Sequence, residues 1–66
     1  MKIKQLKKLA SGFRPCADDI DQVREMAYDV SRAYATDAEV VDLCNRLQSA
    51  PDSAAVNAIL DEVEAK

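Results

Sequence analysis

The 66-residue sequence contains no histidine and no tryptophan, and it has one glycine, two prolines and two cysteines. Without histidine, a serine or cysteine nucleophile lacks its usual base, and a metal lacks its commonest ligand. A single glycine excludes the glycine-rich loops that hold phosphate groups. Two cysteines that are 28 positions apart do not have the spacing of a zinc site. These absences predict no catalytic residue, no cofactor and no metal, and therefore a protein that is not an enzyme.

The cysteines Cys16 and Cys44 are interpreted as reduced thiols of a cytoplasmic protein. No apolar signal segment follows the N-terminal lysines, so nothing in the sequence indicates export to an oxidising compartment. Cys44 falls on the apolar side of a helical pattern, and we expect it to be buried. The longest run without a charged residue is eight residues, 53–60, against about 20 that are needed to cross a bilayer.

The composition favours an all-α fold. Apolar residues make up 48% of the chain and charged residues 32%, while aromatic residues make up only 5%, which suits helices better than sheets. We predict a single domain over residues 1–66, built as a compact bundle of three to four short helices. A chain of this size buries only about 60% of its unfolded surface, so a monomer and a homodimer that shares its apolar stripe are equally compatible with the sequence.

The strongest pattern is an apolar stripe in residues 18–35. Its members recur every three or four positions and fall within an arc of about 140° at 100° per residue, which is typical of an amphipathic helix with one buried face. They are Ile20, Val23, Ala27, Val30 and Tyr34, with Met26 and Ala33 beside them. We predict a central helix over residues 16–35 that begins at Pro15 or Cys16, because proline is well accommodated in a first helical turn.

Three weaker helices are predicted around the central one, over residues 1–12, 37–49 and 52–65. Gly12 is expected to end the first, and Thr36 is expected to cap the third in a capping box with Glu39. Asp42 and Arg46 have the spacing of an ion pair on one helix. The predicted core is Ile3, Leu6, Leu9, Phe13, Ile20, Val23, Ala27, Val30, Tyr34, Val40, Leu43, Cys44, Leu47, Val56, Ile59, Leu60 and Val63.

Charge is distributed unevenly along the chain. Residues 1–14 hold five basic residues and no acid, while the remainder holds four bases and all twelve acids. The formal net charge is therefore +5 in residues 1–14 and −8 in the rest of the chain. The basic residues are Lys2, Lys4, Lys7, Lys8 and Arg14. They could contact nucleic acid or an anionic membrane surface. The sequence favours the other interpretation, in which this basic arm packs across the acidic body of the same molecule.

The polar side of the central helix is the candidate site for a protein partner. Tyr28 lies well outside the buried stripe and should be exposed, unlike Tyr34. Tyrosine and arginine anchor many protein interfaces, and the surrounding acids would select a basic partner surface. The residues assigned to this site are Arg24, Glu25, Tyr28 and Arg32. We therefore predict a protein-binding module that engages a larger protein, with regulators and inhibitors as one subset; a merely solvated surface is an equal alternative.

Overall fold

The computed structural model describes residues 3–66, which form an all-α bundle. Its helices are α1 (Ile3–Phe13), α2 (Ile20–Ala33), α3 (Ala38–Ser49) and α4 (Ser53–Glu64), and a 3₁₀ turn at Arg14–Cys16 follows α1. Helix α2 packs mainly on α3, and α1 packs mainly on α4. The predicted fold class is thus confirmed. Lys2, which the sequence assigned to the basic arm, lies outside the described residues.

The core contains one apolar stripe from each helix, together with three small residues that the predicted core omitted. Ala10, Ala17 and Ala50 are buried because small side chains let neighbouring backbones approach closely. Two predicted members are wrong: Ile3 is 49% exposed and Tyr34 is 38% exposed. Ile3 begins α1, one turn before its first buried residue, and Tyr34 follows α2, where the chain leaves the helical path.

The boundary between the first two helices differs from the prediction. Gly12 lies inside α1, and no residue from 3 to 66 has a positive φ, so Gly12 does not act as a helix stop. The α-helical pattern ends instead where Pro15, which has no N–H, cannot donate to the carbonyl of Ser11. Helix α2 then begins at Ile20 rather than near Cys16, because Asp19 caps it by accepting from the Gln22 N–H at 3.1 Å.

The predicted capping box at the start of α3 is also wrong. The cap is Asp37, whose carboxylate accepts from the N–H groups of Glu39 at 3.2 Å and Val40 at 3.4 Å. Thr36 is one residue too early to reach those groups. Asp52 caps α4 in the same way, by accepting from the Ala55 N–H at 2.9 Å. An aspartate is therefore the N-cap of each of α2, α3 and α4.

Candidate protein-binding surfaces

Arg14 connects the basic arm to the last helix. Its Nε and Nη2 donate to the two carboxylate oxygens of Glu64 at 3.2 and 2.9 Å, and its Nη1 donates to the Asn57 side-chain oxygen at 2.9 Å. Nη2 also pairs with Asp61. The three acceptors are spaced i, i+4 and i+7, which places them on one face of α4. Arg14 is therefore engaged within the molecule and is not an open contact of the basic arm.

The acids near the end of α4 are compensated by these contacts. The Arg14 hydrogen bond lowers the pKa of Glu64 below its usual range, and the Arg46 hydrogen bond does the same for the pKa of Glu62. Arg46 donates to Glu62 on α4, not to Asp42 on its own helix, so the predicted i, i+4 ion pair is wrong. Two arginines thus offset negative charge at a helix end where the helix dipole disfavours it.

The lysines of α1 are placed differently from Arg14. Lys4 and Lys8 are exposed and Lys7 is half-buried. None of the three forms an ion pair with another residue of the 3–66 range. The arm is therefore joined to the acidic body through Arg14, while Lys4 and Lys8 lie exposed on the surface of α1.

The outer surface of α2 carries the Tyr28 face, defined here as Asp21, Glu25, Tyr28 and Arg32. At 100° per residue these four fall within an arc of about 60°. Tyr28 is 52% exposed, as the sequence predicted. The guanidinium carbon of Arg32 lies 5.7 Å from the centroid of the Tyr28 ring, within the range of a cation–π contact. The structure thus brings together three of the four predicted site residues, namely Glu25, Tyr28 and Arg32.

The fourth predicted site residue, Arg24, is directed elsewhere. Its Nη2 donates to the backbone carbonyl of Ala50 at 3.1 Å, just after the end of α3. That carbonyl belongs to a helix end, where acceptors lack partners within the helix. Arg24 therefore joins α2 to α3 and lies at the edge of the Tyr28 face, not at its centre.

A groove between α1 and α2, with a volume of about 450 Å³, is a feature that the sequence analysis missed. It arises because α1 packs mainly on α4 and α2 mainly on α3, so their own contact is limited. Its lining is mostly apolar, with Lys8 as the one charged residue among the described residues that form it. The lining residues are Gln5, Lys8, Leu9, Gly12, Phe13, Met26, Val30 and Tyr34.

Two further properties bear on the class of site. Over residues 3–66 no group of three or more cysteine, aspartate and glutamate side chains is arranged to hold a metal ion. No helix in that range is long and apolar enough to cross a membrane. Within residues 3–66, the exposed Tyr28 face and the apolar groove are the two candidate surfaces for a protein partner.

No protein-family model, curated protein or solved structure matches this chain.

Proposed function

We propose that this protein is a small, non-catalytic protein-binding module whose partner is a larger protein with a basic surface. The observation that carries the proposal is the Tyr28 side chain, which is 52% exposed on a rigid helix and stacked against Arg32. Tyrosine and arginine are enriched among the residues that dominate binding energy at interfaces. Asp21 and Glu25 on the same face favour a partner of opposite charge.

The geometry of the Tyr28 face supports binding because it limits the entropy lost on association. A cation–π contact at an exposed site contributes about 0.5–1 kcal/mol, enough to bias the Tyr28 and Arg32 rotamers before a partner arrives. The backbone beneath them is also ordered, since Tyr28 and Arg32 both lie within α2. The pair is therefore presented in a restricted arrangement.

Regulators and inhibitors are the subset of binding modules that this surface fits best. An acidic helical face can occupy a basic site on a larger protein, including a site that normally takes nucleic acid, without any chemistry of its own. The free thiols of Cys16 and Cys44 support a reducing, cytoplasmic location as part of the same proposal.

The direct test uses a partner isolated on the tagged protein from its native host. Tyr28→Ala should weaken the affinity for that partner by at least about tenfold, the range seen for interface anchors. It should leave Tm nearly unchanged, because Tyr28 is 52% exposed and is not part of the buried core. Asn45→Ala, an exposed position on α3, is the matched control and should bind as the wild type does. Equal affinity for both variants would remove Tyr28 from the site.

A second candidate function is binding to nucleic acid or an anionic membrane surface through α1. The observation that favours it is that Lys4, Lys7 and Lys8 form no ion pair within the described part of the chain. Binding to phosphate groups releases counterions, so its affinity should fall steeply as salt rises, whereas binding through Tyr28 should change little. Replacing the three lysines with glutamine should abolish phosphate binding; if it survives that change, α1 is not responsible.

A further inference from the structure

The groove between α1 and α2 is a second surface that the Tyr28 face does not include. Met26 and Tyr28 are about 160° apart around α2, so the two surfaces lie on different sides of that helix. Leu9, Met26 and Val30 are only partly buried in the groove. The lining combines apolar walls with few polar groups, which is characteristic of binding sites.

We infer that the groove binds an amphipathic helix of the protein partner, with an acidic side chain on the flank that faces α1. This inference rests on the proposed function, because the occupant is a segment of that partner. The three observations that carry it concern the backbone of the groove walls, the length of the apolar row and the charge at the rim.

The walls of the groove determine the secondary structure of the occupant. Both walls are helices, and their backbone N–H and C=O groups are bonded within those helices. An extended peptide would find no backbone partners there and would leave its own polar groups unpaired. A helix satisfies its backbone groups internally, so only its side chains need to fit the groove.

The length of the groove matches two helical turns. Met26 and Val30 on α2 and Tyr34 at its C-cap are spaced four residues apart, a row of about 12 Å at 1.5 Å per residue. Apolar anchors at i, i+3 or i+4, and i+7 of a docked helix span nearly the same distance. The volume of about 450 Å³ accommodates a few large side chains of this kind.

The charge at the rim determines the flanking residues of the occupant. Lys8 lines the groove, and Lys4 lies one turn earlier on the same side of α1. Neither forms an ion pair among residues 3–66. Carboxylates on the adjacent flank of a docked helix would supply their missing partners, whereas lysines there would be repelled.

Gly12 allows the groove to be filled without changing the fold. A Cβ built at Gly12 meets no atom within 4 Å outside its own stretch of α1, and Gly12 lines the groove. Gly12→Ala should raise Tm by about 2–6 °C, because glycine is unfavourable inside a helix. Gly12→Leu should also fold and should occupy the groove. Thermal unfolding checks both variants before any binding measurement.

The probe is a stapled helical peptide that carries leucines along one stripe and glutamates along one flank. A control peptide has glutamine in place of each glutamate. Wild-type protein should bind the glutamate peptide with amide shift changes at Met26 and Val30. Gly12→Leu should weaken that binding at least about tenfold. Wild-type protein should bind the glutamine peptide about threefold more weakly than the glutamate peptide. In Lys8→Gln the two peptides should bind alike, while Asn45→Ala should behave as wild type.

Three results would overturn the inference. The first is the absence of saturable amide shift changes at Met26 and Val30, and the second is equal affinity of wild type and Gly12→Leu for the glutamate peptide. The third is an equal preference for the glutamate peptide over the glutamine peptide in wild type and Lys8→Gln. A dimer of the protein alone that Gly12→Leu dissociates would assign the groove to a second copy. Failure of the peptide test leaves the Tyr28 test standing, since Tyr28→Ala is measured on the captured partner. If the peptide test and the Tyr28 test both fail, the proposed function is wrong as well.

Discussion

At the scale of single residues, the cap of α3 shows how two adjacent candidates are separated. Thr36 and Asp37 are both good N-cap types, and only the path of the chain decides which reaches the first N–H groups of the helix. Asp37 accepts from Glu39 and Val40. Asp37→Ala should therefore lower Tm by several degrees in thermal unfolding followed by circular dichroism, whereas Thr36→Ala should change it little. A larger loss from Thr36→Ala would restore the predicted capping box.

The two cysteines should differ in reactivity. Cys44 is fully buried, and burial raises the pKa of its thiol to about 11, which leaves very little of the reactive thiolate near neutral pH. Cys16 is only half-buried. In native protein at pH 8, a thiol reagent should modify Cys16 and spare Cys44, and both should react in denaturant. Mass spectrometry identifies the labelled site; rapid labelling of Cys44 in native protein would contradict its burial.

At the scale of helices, the contacts that α4 makes through Arg14 and Arg46 predict sensitivity to acid. The folded-state pKa values of Glu62 and Glu64 are lowered from an ordinary value of 4.5 by their hydrogen bonds with these arginines. Groups of this kind add stability above their unfolded pKa and lose it as pH falls through the folded pKa. We therefore expect Tm to fall between about pH 5 and pH 3.

The matched variant for that prediction is Glu62→Gln with Glu64→Gln. It should be less stable than the wild type at pH 7, because both ion pairs are lost. It should also lose less stability between about pH 5 and pH 3, since two of the groups responsible no longer titrate. An acid dependence identical to that of the wild type would show that other carboxylates control the transition.

The sequence predicted the helices better than the contacts between them. The stripe that includes Val23 and Ala27 follows the helical repeat, so local periodicity was enough to identify α2 and its buried face. The partners of Arg14 lie 43 to 50 positions away, and no local pattern pairs them. One signal was present in the sequence, because Asn57, Asp61 and Glu64 share a face of α4 beside its apolar stripe.

At the scale of the whole molecule, the sequence identified one of the two candidate surfaces. The Tyr28 face depends only on positions around one helix, so periodicity was sufficient to place Tyr28 outside the core. The groove depends on how α1 and α2 sit relative to each other, which follows from their separate packing on α4 and α3. Periodicity alone therefore assigns Met26 and Val30 to the buried stripe, although α1 leaves them partly uncovered.

The central claim is that the molecule binds another protein through the Tyr28 face. The most direct measurement is nuclease-treated capture from the native host, with recovery of the partner compared between wild type, Tyr28→Ala and Asn45→Ala. The account predicts a protein partner that nuclease does not remove, at least about tenfold lower recovery with Tyr28→Ala, and wild-type recovery with Asn45→Ala. Recovery that disappears with nuclease, or that is equal for Tyr28→Ala and wild type, would contradict it.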